Sequence, residues 1–118
     1  MATIGTFDPK GLIAGDFPTE TQEIVLTGPA DFKRGDVIAQ ADNGSYALVN
    51  SAGTGRAALA IGIICDDIVV ETGAASRAVM YIKGEFNQRY LVFGGVDTVD
   101  DHLRRMTEIG LIPRGTRI

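Results

Sequence analysis

Apolar positions in this chain come in short bursts separated by turn residues. Residues 23–27 (EIVLT), 37–39 (VIA), 46–49 (YALV), 77–82 (RAVMYI) and 91–93 (LVF) each have the length and composition of a short strand. The run at 57–70 (AALAIGIICDDIVV) is the most apolar part, and its β-branching predicts a strand buried on both faces. Gly28-Pro29 stops the first strand, and Arg34-Gly35-Asp36 reads as a turn after Phe32, a candidate core anchor. Asn43-Gly44 suits a tight hairpin whose two central residues both take positive φ. The strand at 77–82 is expected to end at Lys83-Gly84-Glu85-Phe86-Asn87. Helical spacing appears once: Val99, Leu103 and Met106 form one apolar stripe. Thr98 and Asp101 form a capping-box variant, Asp97, Asp100 and Asp101 sit at the positive end of the helix dipole, and Gly110 is a natural stop. Residues 111–118 then read as extended. Residues 1–20 show neither period, nor the basic region, apolar run and small-residue site of a signal peptide.

Composition narrows the class. At 118 residues one domain is expected, and 45% hydrophobic with 22% charged residues is ordinary for a globular domain. Fifteen glycines lying between apolar runs favour short strands and tight turns over long helices. The expected fold is mainly β: a small β-barrel or β-tulip-like domain over 21–118, with one short late α-helix and an extended amino-terminal arm over 1–20. No stretch approaches eighteen apolar residues, so no membrane partner is expected. The net charge of −4 and the scatter of lysines and arginines argue against direct nucleic-acid binding. Cys65, the single cysteine, lies in an apolar run and reads as a small buried hydrophobe.

Few residues offer chemistry. Asp66 and Asp67 are adjacent and would face opposite sides of a strand. Asp97, Asp100, Asp101 and His102 resemble metal ligands at first, but capping explains the acids and the chain has no second histidine. His102 precedes Leu103 on the helix and is expected to be solvated, which leaves no base for a serine or cysteine nucleophile. Gly53-Thr54-Gly55-Arg56 lacks the Lys-Ser/Thr ending of a phosphate loop. No catalytic residue, metal or cofactor is expected.

Several segments, in order, resemble the lambda-like bacteriophage head decoration proteins, the capsid-stabilising protein D type. They are Ala14-Gly15-Asp16-Phe17-Pro18, then Phe32-Lys33-Arg34-Gly35-Asp36-Val37-Ile38 before a Gly-Ser-Tyr hairpin, then Ala60-Ile61-Gly62-Ile63-Ile64 ahead of Asp66-Asp67. Tyr81-Ile82-Lys83-Gly84-Glu85-Phe86-Asn87 precedes Leu91-Val92-Phe93, and the helix closes with Gly110-Leu111. The more specific pieces hold Gly35 and Asp36, and Gly84, Glu85, Phe86 and Asn87. The resemblance implies a β-rich subunit that forms homotrimers on the outer surface of the virion, after synthesis in the bacterial host cytoplasm. It further implies attachment over three-fold positions of the expanded head, stabilisation against packaged DNA, and an arm that pairs with the major capsid protein. Residues 1–10 match the family's arm in position and character but not in letters.

Ala2, Thr3, Ile4, Gly5, Thr6 and Phe7 are uncharged and strand-capable, and Pro9 limits the segment. Such a stretch can add to an exposed sheet edge through main-chain bonds. The alternative is a free-standing β-barrel module for a small ligand or glycan. That would want clustered aromatics, whereas the three tyrosines and five phenylalanines are dispersed.

Overall fold

A computed structural model describes residues 12–13, 18–53 and 55–115. In chain order the described residues form β1 (Glu20–Thr27), β2 (Ala30–Phe32), β3 (Val37–Gln40), β4 (Tyr46–Leu48), β5 (Gly62–Ile64), β6 (Ile68–Val70), β7 (Ala75–Asn87), α1 (Val99–Ile109) and β8 (Leu111–Arg114). The fold is mainly β with a single late helix, as the sequence pattern predicts. The main sheet runs β1-β7-β5-β3-β4, all antiparallel, with β8 added parallel to the far end of β7. Its ends, β1 and β4, do not pair with each other among the described residues, so the sheet is open and no barrel closes. β2 and β6 form a separate two-stranded ribbon.

Both faces of the sheet are covered at its centre, where residues 37–39 of β3 and all of β5 are buried. One core gathers Val37, Ile63, Phe86, Met106 and Leu111 on the side of α1. The other gathers Ile24, Leu26, Phe32, Ile38, Ile64 and Met80 on the side of the ribbon. Neighbouring residues therefore divide between layers: Val37 faces one core and Ile38 the other, as do Ile63 and Ile64. The expected core anchor Phe32 is 6% exposed.

The run at 57–70 is not one strand. A 3-10 turn at Gly55–Ala58 precedes β5, and the chain leaves the sheet at Cys65-Asp66-Asp67 before β6 joins the ribbon. Two adjacent carboxylates need water or donors; both acids are exposed there, and Asp67 Oδ1 accepts the Arg34 N–H at 2.8 Å. β7 runs through Lys83-Gly84-Glu85-Phe86-Asn87 instead of ending before them, because it changes partner along its length. Its first part pairs with β1 and β5, and Gly84–Asn87 pairs with β8. Residues 91–93 form no strand; Val92 makes one isolated parallel bridge to Asp36. The β3–β4 hairpin is present, but no non-glycine residue takes positive φ among the described residues. Gly44 N–H bonds the Ala41 carbonyl at 2.8 Å, and within this turn only Gly44 is left-handed, at φ 93°. This is a type I turn followed by a left-handed glycine, the three-residue alternative to the expected tight turn.

α1 begins where predicted, with the Asp101 carboxylate accepting the Thr98 backbone N–H at 2.8 Å. It ends at left-handed Gly110, whose N–H reaches the Met106 and Thr107 carbonyls. Its buried face differs from the expected stripe. His102 and Met106 are buried with Val99 and Ile109 half-buried, whereas Leu103 is 42% exposed. The parallel β7–β8 pairing follows from connectivity: β8 returns through a crossover that contains α1, the length a parallel neighbour requires.

Candidate functional site

The arm residues Ala2, Thr3, Ile4, Gly5, Thr6 and Phe7 lie outside the described residues. What is described is the point from which they depart. The Asn87 N–H donates to the Leu12 carbonyl at 2.7 Å, and Ile13 bridges Phe86 in antiparallel fashion. The Gly84 N–H donates to the Gly110 carbonyl at 3.0 Å. Amides three residues apart in a strand point to opposite edges, so the end of β7 holds the start of β8 on one edge and Leu12-Ile13 on the other. Leu12 is 1% exposed and packs in the core that contains Phe86, Met106 and Leu111. Such a contact, fully desolvated, contributes about 1.5–3 kcal/mol and fixes the root.

Both segments that carry the more specific part of the resemblance converge on this root. Gly35 has φ 100°, and a side chain there would meet the Tyr90 carbonyl oxygen at 2.5 Å and the Leu12 side chain at 3.9 Å. Only glycine suits that combination of left-handed backbone and close approach. Its neighbour Asp36 is 5% exposed, and its carboxylate accepts the Lys33 N–H at 2.9 Å. Burial pushes the Asp36 carboxyl above the usual range, against the pull of that hydrogen bond, and the Asp31 and Asp67 charges add to the rise. The Val92 N–H then bonds the Gly35 carbonyl at 3.1 Å, tying residues 88–92 back to the turn. In the second segment, Gly84 has φ 147° and a Cβ would stand 2.8 Å from Thr19 Cγ2 and 3.0 Å from the Phe86 ring. Phe86 is fully buried with its ring 5.2 Å from that of Tyr81. Glu85 bonds Arg114 of β8 at 2.8 Å, and Asn87 supplies the amide for Leu12. The motif residues thus hold the entry of the chain; none of them forms a cluster of reacting groups.

A constellation that the sequence pattern does not reveal lies nearby. His102, expected to be solvated, is 2% exposed; its Nε2 is 2.7 Å from Asp97 Oδ2, and its ring stacks on Phe93 at 5.2 Å between centroids. Ser51 donates to the same carboxylate twice, from its N–H at 2.6 Å and from Oγ at 2.8 Å. These donors hold the Asp97 carboxyl below the usual range, the Ser51 backbone bond first. An ionised carboxylate only accepts, so His102 donates through Nε2–H. Ser51 and His102 both bond Asp97 and not each other, so the trio closes a loop onto α1 and does not form a nucleophile–base pair. The signal available in the sequence is Asp97 itself, which dipole complementation alone does not account for. Its carboxylate, one residue before the Thr98 cap, is free of the capping bond and so open to a distant donor.

Cys65 is buried, and its thiol is pushed up to about 11, first by desolvation. Among the described residues no group of three acidic, histidine or cysteine side chains is placed to hold a metal ion. The described residues line surface grooves. One of about 470 Å³ runs between residues 88–93 and the start of α1, and one of about 340 Å³ lies at the β2–β6 ribbon. No helix among the described residues is long and apolar enough to cross a membrane. No family model and no curated protein matches the chain.

Proposed function

We propose that this chain is a capsid decoration protein of a bacteriophage head. Its trimers bind the outside of the expanded shell at three-fold positions, and its amino-terminal arm pairs with the major capsid protein. The order of the segments that resemble the decoration family supports this reading. The observation that carries it is the fixed root at Leu12-Ile13, where both motif segments converge. An arm can transmit force from a partner to a domain only if its base is held, and here the base is bonded to β7 and buried in the core.

The energetics favour action in threes. Each main-chain bond of an added strand contributes roughly 0.5–1.5 kcal/mol net. Ordering each residue costs about 1–2 kcal/mol. The two nearly cancel, and burial of Ile4 and Phe7 adds roughly 1.5–3 kcal/mol each. One arm therefore binds weakly. Three arms on one trimer bind at high effective concentration once the first has engaged. A shell whose three-fold geometry is wrong cannot engage all three, which gives selectivity for the expanded form.

Deleting residues 1–10 tests this, because the deletion spares Leu12. The truncated protein is expected to melt as the full chain does and to lose binding to expanded empty heads. Undiminished binding by a folded truncation would refute the reading. Ile4→Ala and Phe7→Ala are expected to weaken head binding with melting unchanged.

A further inference from the structure

β1 stands at the end of the main sheet, and among the described residues nothing pairs with its outer edge. An open edge of eight residues is long for a strand left unprotected. Its one irregularity lies at Glu20/Thr21, and it contains no proline. The Cys65 N–H donates to the Val79 carbonyl, so the polar groups of Val79 face β5 and its partner across the ladder, Glu23, turns its own groups outward. By alternation Thr21, Glu23, Val25 and Thr27 all present N–H and C=O to the open edge, while Gln22, Ile24 and Leu26 bond β7. The same four residues have exposed side chains, Val25 at 58%, beside exposed Val79 of β7 at 40%.

We propose that β1 pairs with β1 of a second copy, antiparallel about a two-fold axis at Ile24, joining the two sheets into one. The register is selected by the residues. Centring on Ile24 sets Thr21 against the partner's Thr27 and Glu23 against the partner's Val25, so all four outward-bonding residues on each side are matched. Centring on Glu23 would oppose two like charges, a destabilising pair. Centring on Val25 would bring Thr21 against Pro29, which has no N–H to give. In the Ile24 register each Glu23 keeps its own Arg77, 3.6 Å away, and the Val25 side chains of the two copies become diagonal neighbours on the outer face. The pairing is isologous and closes on itself. It is independent of the arm and of the decoration reading.

Val25→Pro removes an N–H that no bond among the described residues uses. Sedimentation velocity over a concentration series is expected to show, for the wild type, an association step that pairs two copies through β1, and Val25→Pro is expected to lack that step whatever other assembly both proteins share. A second test does not depend on that variant folding. Thr21→Cys protein mixed with Thr27→Cys protein is expected to form a disulfide-linked pair on mild oxidation, and neither alone is. Hydrogen-bonded cross-strand partners lie about 5.5 Å apart at Cα, within disulfide reach. Association that is equal in wild type and Val25→Pro, or a mixture that forms no linked pair, would overturn the proposal. So would loss of the association on deleting residues 1–10, since the occupant of the edge would then be the arm.

Discussion

At the scale of single residues, two carboxylates pull stability in opposite directions with pH. Asp97 is held below the usual carboxylate range by Ser51 and His102. Its folded form binds fewer protons than its unfolded form, so its contribution is present above the ordinary aspartate value, about 3.9, and is lost as pH falls through the folded value. Asp36 is raised by burial, so its ionised form opposes folding, and that penalty is relieved as pH falls through its folded value. Asp97→Asn is therefore expected to melt lower than wild type near neutral pH, with the gap narrowing as pH drops below about 4. Asp36→Asn, which keeps an acceptor for the Lys33 N–H, is expected to shift the opposite way, comparing worse with wild type in acid than at neutral pH. Thermal melts of the three proteins across that range check both signs. Two parallel curves would mean that neither carboxyl titrates differently in the folded state.

At the scale of elements, α1 and β7 divide what the pattern of residues reveals from what it hides. The ends of α1 were legible because caps are local: Thr98, Asp101 and Gly110 act within a turn of their positions. Its face was not: Val99, Leu103 and Met106 have helical spacing, but His102 is drawn inward by Asp97, a carboxylate just before the helix that Ser51, far off in sequence, also bonds. The expected outcome is specific. Met106→Ala should cost about 2–5 kcal/mol, as a fully buried side chain does. Leu103→Ala should stay within about 0.5 kcal/mol despite having the same place in the stripe. Denaturant unfolding of the two variants separates the faces. β7 hid its length for a related reason. Gly84 looks like a stop, yet the strand passes through it and exchanges β1 for β8, a pairing between residues far apart in sequence. Cys65-Asp66-Asp67 hid the break between β5 and β6 because apolar character runs on either side of it. The motif residues Gly35, Asp36 and 84–87 could be picked out by resemblance. Their meeting at Leu12 could not, since only the folded chain brings the Tyr90 carbonyl and the Asn87 amide to that point.

For the whole molecule, the proposed attachment has a salt signature. Ala2, Thr3, Ile4, Gly5, Thr6 and Phe7 carry no charged side chain. Main-chain bonds and apolar burial are screened little by ions, whereas exposed charge pairs are screened beyond about 8 Å at physiological salt. The subunit is itself acidic, at −4, so packing three together on a shell gains nothing from long-range attraction unless the shell surface is basic. If the arms carry the binding, affinity for expanded heads should change by less than about tenfold from about 0.05 to 0.5 M salt. A surface held by many ion pairs would instead lose affinity steeply, as phosphate-binding proteins do, by about a thousandfold or more. The β1 edge provides an internal control. Val25→Pro alters a surface on the sheet edge and leaves the root at Leu12-Ile13 untouched, so it should bind heads with wild-type affinity and the same flat salt response. A steep response in both proteins would move the attachment from the arm to charged groups on the domain. A steep response in the variant alone would mean that pairing between subunits, more than contact with the shell, holds the wild type in place.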